Sequence, residues 1–302
     1  MTQEEKVILL RNPNETLDKL IKDFIRRSEE NRKGHPGSGH YWDEPLVGFA
    51  SGNDPLFSRY KTVIGPFHLT PREIMAEALR EKGRPLRLSE AETLSVVAWI
   101  LPAAEDTRRS NQKEDRFPSK LWAYTRDFGE ACNDALRHHV VRFLRDLGYP
   151  AVAPIHAASF RSFRDEKVGW ASSWSERHAA FACGLGTFGL SDGFITPKGI
   201  AMRVGSVITL LKLTPSERKY GDHQENCLFF RYEKCGRCIS RCPAGAITEK
   251  GHDKDKCAAY LHSHTLKAKV REYGLKDPPS SCGLCQTNVP CEHQIPRPDL
   301  IA

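Results

Sequence analysis

Cys227-Leu-Phe-Phe-Arg-Tyr-Glu-Lys-Cys235-Gly-Arg-Cys238-Ile-Ser-Arg-Cys242-Pro243 is the stretch on which the reading of this chain turns. Cys257, Cys282-Gly-Leu-Cys285 and Cys291 follow it, so residues 227–291 hold eight of the ten cysteines in the 302-residue chain. That density calls for metal ligation or a disulfide framework. Disulfides belong to oxidising compartments. The N-terminus, Met1-Thr-Gln-Glu-Glu-Lys6, is polar and acidic, unlike a secretory signal. Arg26-Arg27 is followed by Ser-Glu-Glu-Asn and does not read as a twin-arginine leader. The expected address is cytoplasmic, with reduced thiols.

Paired Cys-x2-Cys motifs also build four-cysteine zinc sites. The run Cys235-x2-Cys238-x3-Cys242-Pro243 speaks instead for iron–sulfur ligation, being the back half of the bacterial ferredoxin signature. Its missing first cysteine falls at Tyr232, and Cys227 is the substitute if residues 228–234 loop out. Eight thiolates suffice for two [4Fe–4S] clusters. In two-cluster ferredoxins the last cysteine of one motif serves the other cluster. That exchange assigns Cys227, Cys235, Cys238 and Cys291 to one cluster, and Cys242, Cys257, Cys282 and Cys285 to the other.

The length suits one large domain or two unequal ones. Hydrophobic residues make up 39% and charged residues 27%, with no apolar run long enough to span a membrane. The formal charge of +7 takes cysteines as neutral. Eight thiolates and two oxidised cluster cores bring it to about +3, too little to argue nucleic-acid binding.

Upstream of the cysteines the periodicity is clear. Leu17, Leu20, Ile21, Phe24 and Ile25 mark an amphipathic helix. In Gly34-His-Pro-Gly-Ser-Gly-His40, the histidines His35 and His40 sit in a loop at a candidate site mouth. Residues 45–51 read as a strand. Thr70, Pro71, Glu73 and Gly83 bracket a helix. Leu94 to Leu101 is a buried strand, residues 103–120 a polar loop, and 125–147 the longest helix, with Cys132 packed on its apolar face. Residues 151–155 suggest another strand.

The second informative stretch is Ser173-Trp-Ser-Glu176-Arg177-His178-Ala-Ala-Phe-Ala-Cys183-Gly184-Leu-Gly186-Thr-Phe-Gly189. Ser173 and Glu176 form a capping-box pattern, and the helix is expected to stop at Gly184. The glycines follow a helix instead of joining strand to helix, which disfavours a dinucleotide site. They make either a C-cap and turn or a platform against a large flat cofactor. Phe194 to Leu213 reads as a β-hairpin, and Lys254 to Tyr273 as one helix carrying Cys257 in its first turn.

Three features together, the Glu176-Arg177 and Gly184-Leu-Gly186 stretch, the ferredoxin-like tail, and the Cys257 helix before Cys282-x2-Cys285-Gln286, resemble the epoxyqueuosine reductases and the catalytic core of respiratory reductive dehalogenases. The resemblance spans roughly residues 90–295. It implies an α/β (α+β) fold: a helical or mixed region over 1–90, a nitroreductase-like, corrinoid-binding core over 91–218, and a ferredoxin-like domain with two [4Fe–4S] clusters over 219–302. It implies cobalamin against the region from Gly184 to Gly205, with Gly184, Gly186, Gly189, Thr196, Arg203 and Gly205 as cofactor contacts. It also implies an electron donor such as ferredoxin or flavodoxin, a small-molecule substrate and no membrane. The epoxyqueuosine reductases carry an acidic proton donor shortly before the Glu-Arg pair. Lys167 to Ser175 contains no carboxylate, which disfavours a tRNA substrate. Tyr124, His156 and His178 are the proton-donor candidates. The rivals are an electron-transfer or corrinoid-activating protein without a substrate of its own, and a flavin-dependent iron–sulfur reductase holding FMN.

Overall fold

The computed structural model describes residues 10–34, 39–277 and 279–300. Before the cysteines come α1 (Pro13–Arg27), β1 (Leu46–Ser51), α2 (Pro55–Val63), α3 (Pro71–Arg80), α4 (Leu88–Ala91), β2 (Ser95–Pro102), α5 (Glu105–Gln112) and α6 (Lys120–Asp146). They continue through β3 (Ala151–Val152), β4 (Ser162–Asp165), β5 (Gly169–Ser172), α7 (Glu176–Ala182), β6 (Thr187–Phe188), β7 (Phe194–Ile195) and β8 (Met202–Thr209). The cysteine-bearing part carries α8 (Leu228–Tyr232), α9 (Arg237–Ser240), β9 (Ile247–Thr248), β10 (Gly251–His252), α10 (Lys254–Leu261) and α11 (His264–Glu272).

The main sheet runs β1-β2-β8-β3, antiparallel throughout. It takes strands from both sides of position 90. All eight residues of β2 are buried, because helices cover both faces. Val97, Trp99 and Leu101 pack with Leu17, Ile21 and Ile25 of α1 and with Leu136 and Val140 of α6. Val96, Ala98 and Ile100 face Phe57 of α2, Ile74 and Leu79 of α3, and Ala179 and Ala180 of α7. The two-residue alternation of a strand thus feeds two separate cores. Trp99 lies opposite Gly205, where an added Cβ would come within 2.6 Å of the indole. Its Nε1–H donates to Asn133 Oδ1 at 2.8 Å.

Thr70 closes a full capping box with Glu73 at the start of α3. Four local expectations change. Residues 103–120 contain α5, which was hidden because its buried residues, Thr107 and Asn111, are polar. Ser173 does not cap α7: its hydroxyl accepts from Arg161 N–H and donates to Ser159 C=O, and Ser175 is the N-cap residue. β7 pairs with β6 instead of β8, leaving only the Thr196–Gly199 bridge of the expected hairpin. The helix expected over 254–273 is two, because Ser263 caps α11 by accepting from Leu266 N–H. His35 lies outside the described residues, and His40 is exposed.

The cysteine-bearing part is tied to the sheet through backbone. Ile200 N–H donates to Cys291 C=O at 2.8 Å and Ala201 N–H to Glu292 C=O at 3.1 Å. Gly199, at φ 84, allows this approach; a Cβ there would sit 2.2 Å from Glu292 O. Arg241 donates to the carbonyls of Leu284, Thr287, Glu114 and Asn111, binding the cysteine loops to the end of α5. No helix among the described residues is long and apolar enough to cross a membrane.

Candidate functional site

The eight cysteines of residues 227–291 act on one another electrostatically in two overlapping groups. Burial first, then the thiolates of Cys227 and Cys235, push Cys238 up to about 12. Burial and the thiolates of Cys238, Cys227 and Cys235 hold Cys291 well above its ordinary value. In the second set Cys282 is pushed up to about 12 by burial and by Cys257 and Cys242. Cys285 is raised by burial, by Cys282, Cys257 and Cys242, and by Cys238 of the first set. Cys238 and Cys285 pack against the same apolar cluster, which includes Leu190, Ile195 and Val289. Cys227, Cys235, Cys238 and Cys291 line a small cavity walled by Leu190, Ile195, Ile200, Phe229 and Val289. Among the described residues no three His, Cys, Asp or Glu side chains close on one point that would hold a single ion.

Burial and mutual repulsion oppose the thiolates of Cys238, Cys282, Cys285 and Cys291. A cationic core reverses that balance. Backbone N–H groups of Cys238 and Ile239, and of Cys282 and Leu284, favour the thiolates of Cys238 and Cys282. Ala246 N–H reaches Cys242 Sγ at 3.3 Å.

Beside the first set opens a cleft of about 920 Å³. Gly189 and Leu190 wall both spaces. Tyr60, Phe181, Phe188 and Phe230 supply the cleft's apolar surface; Arg59, Arg177, Lys250, Lys254 and His252 supply cationic groups, and Asp192 and Asp222 carboxylates. Burial lowers the Arg177 guanidinium, which donates to Asp192 C=O. Asp192 is held below its usual range: burial raises it, but His252, Arg177 and Lys254 outweigh burial. His252 stands between Asp192, 3.3 Å from its Nδ1, and Cys257. Burial opposes its charge, but those two partners prevail and lift it to about 9.

Of the proton-donor candidates only His178 borders the cleft. Its Nδ1 is 2.8 Å from Ser175 Oγ, and its ring packs on Tyr60 and Phe188. Burial, then Arg177, lowers it to about 3, so it is a neutral imidazole. Tyr124 donates its hydroxyl to Tyr273 C=O at 2.7 Å, and His156 sits on Asp134 and stacks on His138. Neither borders the cleft.

The residues named for cofactor contact divide similarly. Gly189 borders the cleft. Gly184, at φ 74, closes α7, and a Cβ there would lie 2.5 Å from Glu217 O. Gly186 packs against Ile195 O and Gly205 against Trp99. Thr196 is buried with its hydroxyl on Gly199 C=O. Arg203 pairs with Glu130, in a buried network with Arg137 and Glu176. Sequence reasoning missed Arg59, Tyr60, Asp192, His252 and Lys254, whose segments carry no shared motif. Buried Cys132 and Cys183 stay outside both sets; burial raises both thiols, Cys132 to about 12.

No protein-family model and no curated protein matches the chain. Among solved structures it is similar to a selenomethionine-labelled epoxyqueuosine reductase, with 17% identity over 94% of this chain and 71% of that one, at a TM-score of 0.45. The epoxyqueuosine reductase from Bacillus subtilis gives 16% identity over 94% and 71%, at 0.44. A catabolic reductive dehalogenase gives 16% over 82% of this chain and 34% of that one, at 0.43.

Proposed function

We propose that this chain is an iron–sulfur reductase with a [4Fe–4S] cluster on each set of four cysteines and a cobalamin in the cleft. Its substrate is a small or nucleoside-type molecule, and its electrons come from an external carrier such as ferredoxin or flavodoxin. In this reading residues 219–302 are the ferredoxin-like part, and the sandwich over 91–218, with β1 from the region before it, is the nitroreductase-like core.

The observation that carries the reading is positional. Cys227, Cys235, Cys238 and Cys291 line one cavity, Cys257 and Cys242 act electrostatically on Cys282 and Cys285, and that cavity shares the Gly189–Leu190 wall with the cleft of about 920 Å³. The donors suit iron–sulfur cores: soft thiolates in apolar surroundings, with backbone N–H groups favouring the charged sulfurs. The cleft suits a large cofactor, being at the upper end of small-molecule pocket size, with aromatic walls and cationic groups for an anionic tail. When bound, a corrinoid supplies the difficult reductive chemistry. The chain's own groups bind and orient. Arg177 and Lys254 offer charge, and Phe181 and Phe188 exclude water. His178 holds a neutral imidazole at the wall, its ring fixed by Ser175.

Anaerobic purification with iron, sulfide and cobalt assays, and titration with cobalamin, tests this. We expect about eight irons per chain, a visible band that bleaches with dithionite, and stoichiometric co-elution of cobalamin. Iron without corrinoid but with yellow FMN released on denaturation would move the reading to a flavin-dependent reductase. Iron with neither would leave an electron-transfer protein. Colourless protein holding zinc after reconstitution would sink the reading.

A further inference from the structure

We propose that residues 230–237 form the electron entry face, a docking surface for an acidic one-electron carrier protein. The proposal rests on the cluster reading above and names the surface through which the first set of cysteines is reduced.

Among the eight cysteines of the two sets only Cys235 is exposed. The turn that presents it is conformationally costly. Glu233 (φ 53) and Cys235 (φ 80) are two of the four non-glycine residues at positive φ among the described residues, and Gly236 (φ 120) follows. The left-handed region costs an L-residue about 1–2 kcal/mol, so the surrounding packing holds this shape against a penalty. It places one thiol of the cavity at the solvent boundary while Cys227 stays buried and Cys291 half-buried.

The surface around that thiol is built for contact. Phe230 and Tyr232 are 39% and 43% exposed, two of the four exposed aromatic rings among the described residues. The Arg231 guanidinium lies over the Tyr232 ring at 5.3 Å, giving a stiff amphipathic anchor of the kind enriched at interfaces. Residues 230–237 carry three cationic side chains, Arg231, Lys234 and Arg237, and one carboxylate, Glu233. Arg231 also pairs with Glu225, whereas Lys234 and Arg237 have no ion-pair partner among the described residues. Unpaired cations beside exposed rings favour an acidic partner and speed its encounter.

The step is a single electron transfer. The reduced carrier loses one electron and the oxidised cluster of the first set gains it; no bond changes and no proton is required.

The test uses the holoprotein, a reduced plant-type [2Fe–2S] ferredoxin as acidic donor, and dithionite as a small donor, with cluster bleaching followed by stopped flow. K234E/R237E is expected to slow reduction by ferredoxin about tenfold at low salt and to flatten its salt dependence. Tyr232→Ser is expected to slow it a few-fold. Both variants should keep wild-type iron and sulfide and a wild-type rate with dithionite. Variants reduced by ferredoxin at the wild-type rate would overturn the entry face. Wild-type holoprotein reduced by dithionite but not by ferredoxin would overturn the acidic-carrier assignment and leave the cluster reading standing. Wild-type protein without iron and sulfide would remove both.

Discussion

The sheet sandwich and the cysteine-bearing part are held together by different means. In the sandwich, β2 is buried on both faces and α6 runs for 27 residues, so large apolar side chains meet in two continuous cores. Burying one such side chain contributes about 1.5–3 kcal/mol. Over 227–291 the helices are four to nine residues long, and the apolar cluster under the first set borrows Leu190, Ile195 and Ile200 from the sandwich side. Cys227 belongs to that cluster, and Cys238, Cys242, Cys285 and Cys291 pack against it. Short helices with few apolar contacts are marginal alone. The difference teaches that the sandwich stands on burial, whereas in the proposed reading the cysteine-bearing part depends on the clusters its thiols would hold.

The largest expected effect separates two buried cysteines. Cys285→Ser should remove about half of the iron, because it breaks one four-ligand set. It should also speed amide exchange over 242–291 by orders of magnitude while β2 stays protected. Cys132→Ser, in the sandwich core, should keep all the iron and lower global stability by about 1–3 kcal/mol, the cost of burying an unpaired hydroxyl. Equal exchange changes in both regions for Cys285→Ser would break the distinction. Hydrogen-exchange mass spectrometry with iron assay reads both.

The same division explains what the sequence made legible. Periodic apolar residues announced α1 and α6, a continuous apolar run announced β2, and Thr70 with Glu73 announced α3, because burial and capping leave local signatures. The grouping of Cys227, Cys235, Cys238 and Cys291 around one cavity was foreshadowed by their spacing, because ligand count and spacing are chemical requirements. The cleft was not. Tyr60, His178, Asp192 and His252 come from four separate segments, and only folding brings them to one wall. Of the two readings open for the glycines after α7, Gly184 and Gly186 answer the C-cap and turn: approaching protein backbone requires them, a demand that reads in sequence like room for a ligand. α5 was invisible because its packing is polar, with Asn111 donating to Thr287 Oγ1 at 3.0 Å.

A middle-sized effect is expected with acid, and it belongs to the sandwich. Burial lowers His68 to about 4 and His178 to about 3, below their unfolded value of about 6.5. The unfolded chain therefore binds protons that the folded chain refuses. The stability these neutral imidazoles allow is full above about pH 6.5 and falls as pH drops toward 3–4, by a few kcal/mol in total. Trp174 stacks on His68 at 5.8 Å, so its fluorescence in urea titrations between pH 7 and 4 follows the loss. His68→Gln should flatten the acid slope. An unchanged slope would show that the loss arises elsewhere.

The smallest effect tests whether the sandwich answers to ordinary local terms at a site remote from every thiol. Thr70 Oγ1 accepts from Glu73 N–H at 3.3 Å, while Glu73 Oε2 accepts from Thr70 N–H at 2.7 Å. Thr70→Ala removes the side-chain acceptor and leaves the helix N-terminus one partner short, which costs about 1 kcal/mol. Because α3 packs through Ile74, Met75 and Leu79 into the core on the α7 side of β2, that loss should appear in the global urea midpoint and not only as fraying. Thr70→Ser, which keeps the hydroxyl, should recover most of it. Iron content and bleaching by dithionite should not move in either variant. A loss of iron from so distant a cap would mean that the two regions share one cooperative unit, and the division drawn above would have to be abandoned.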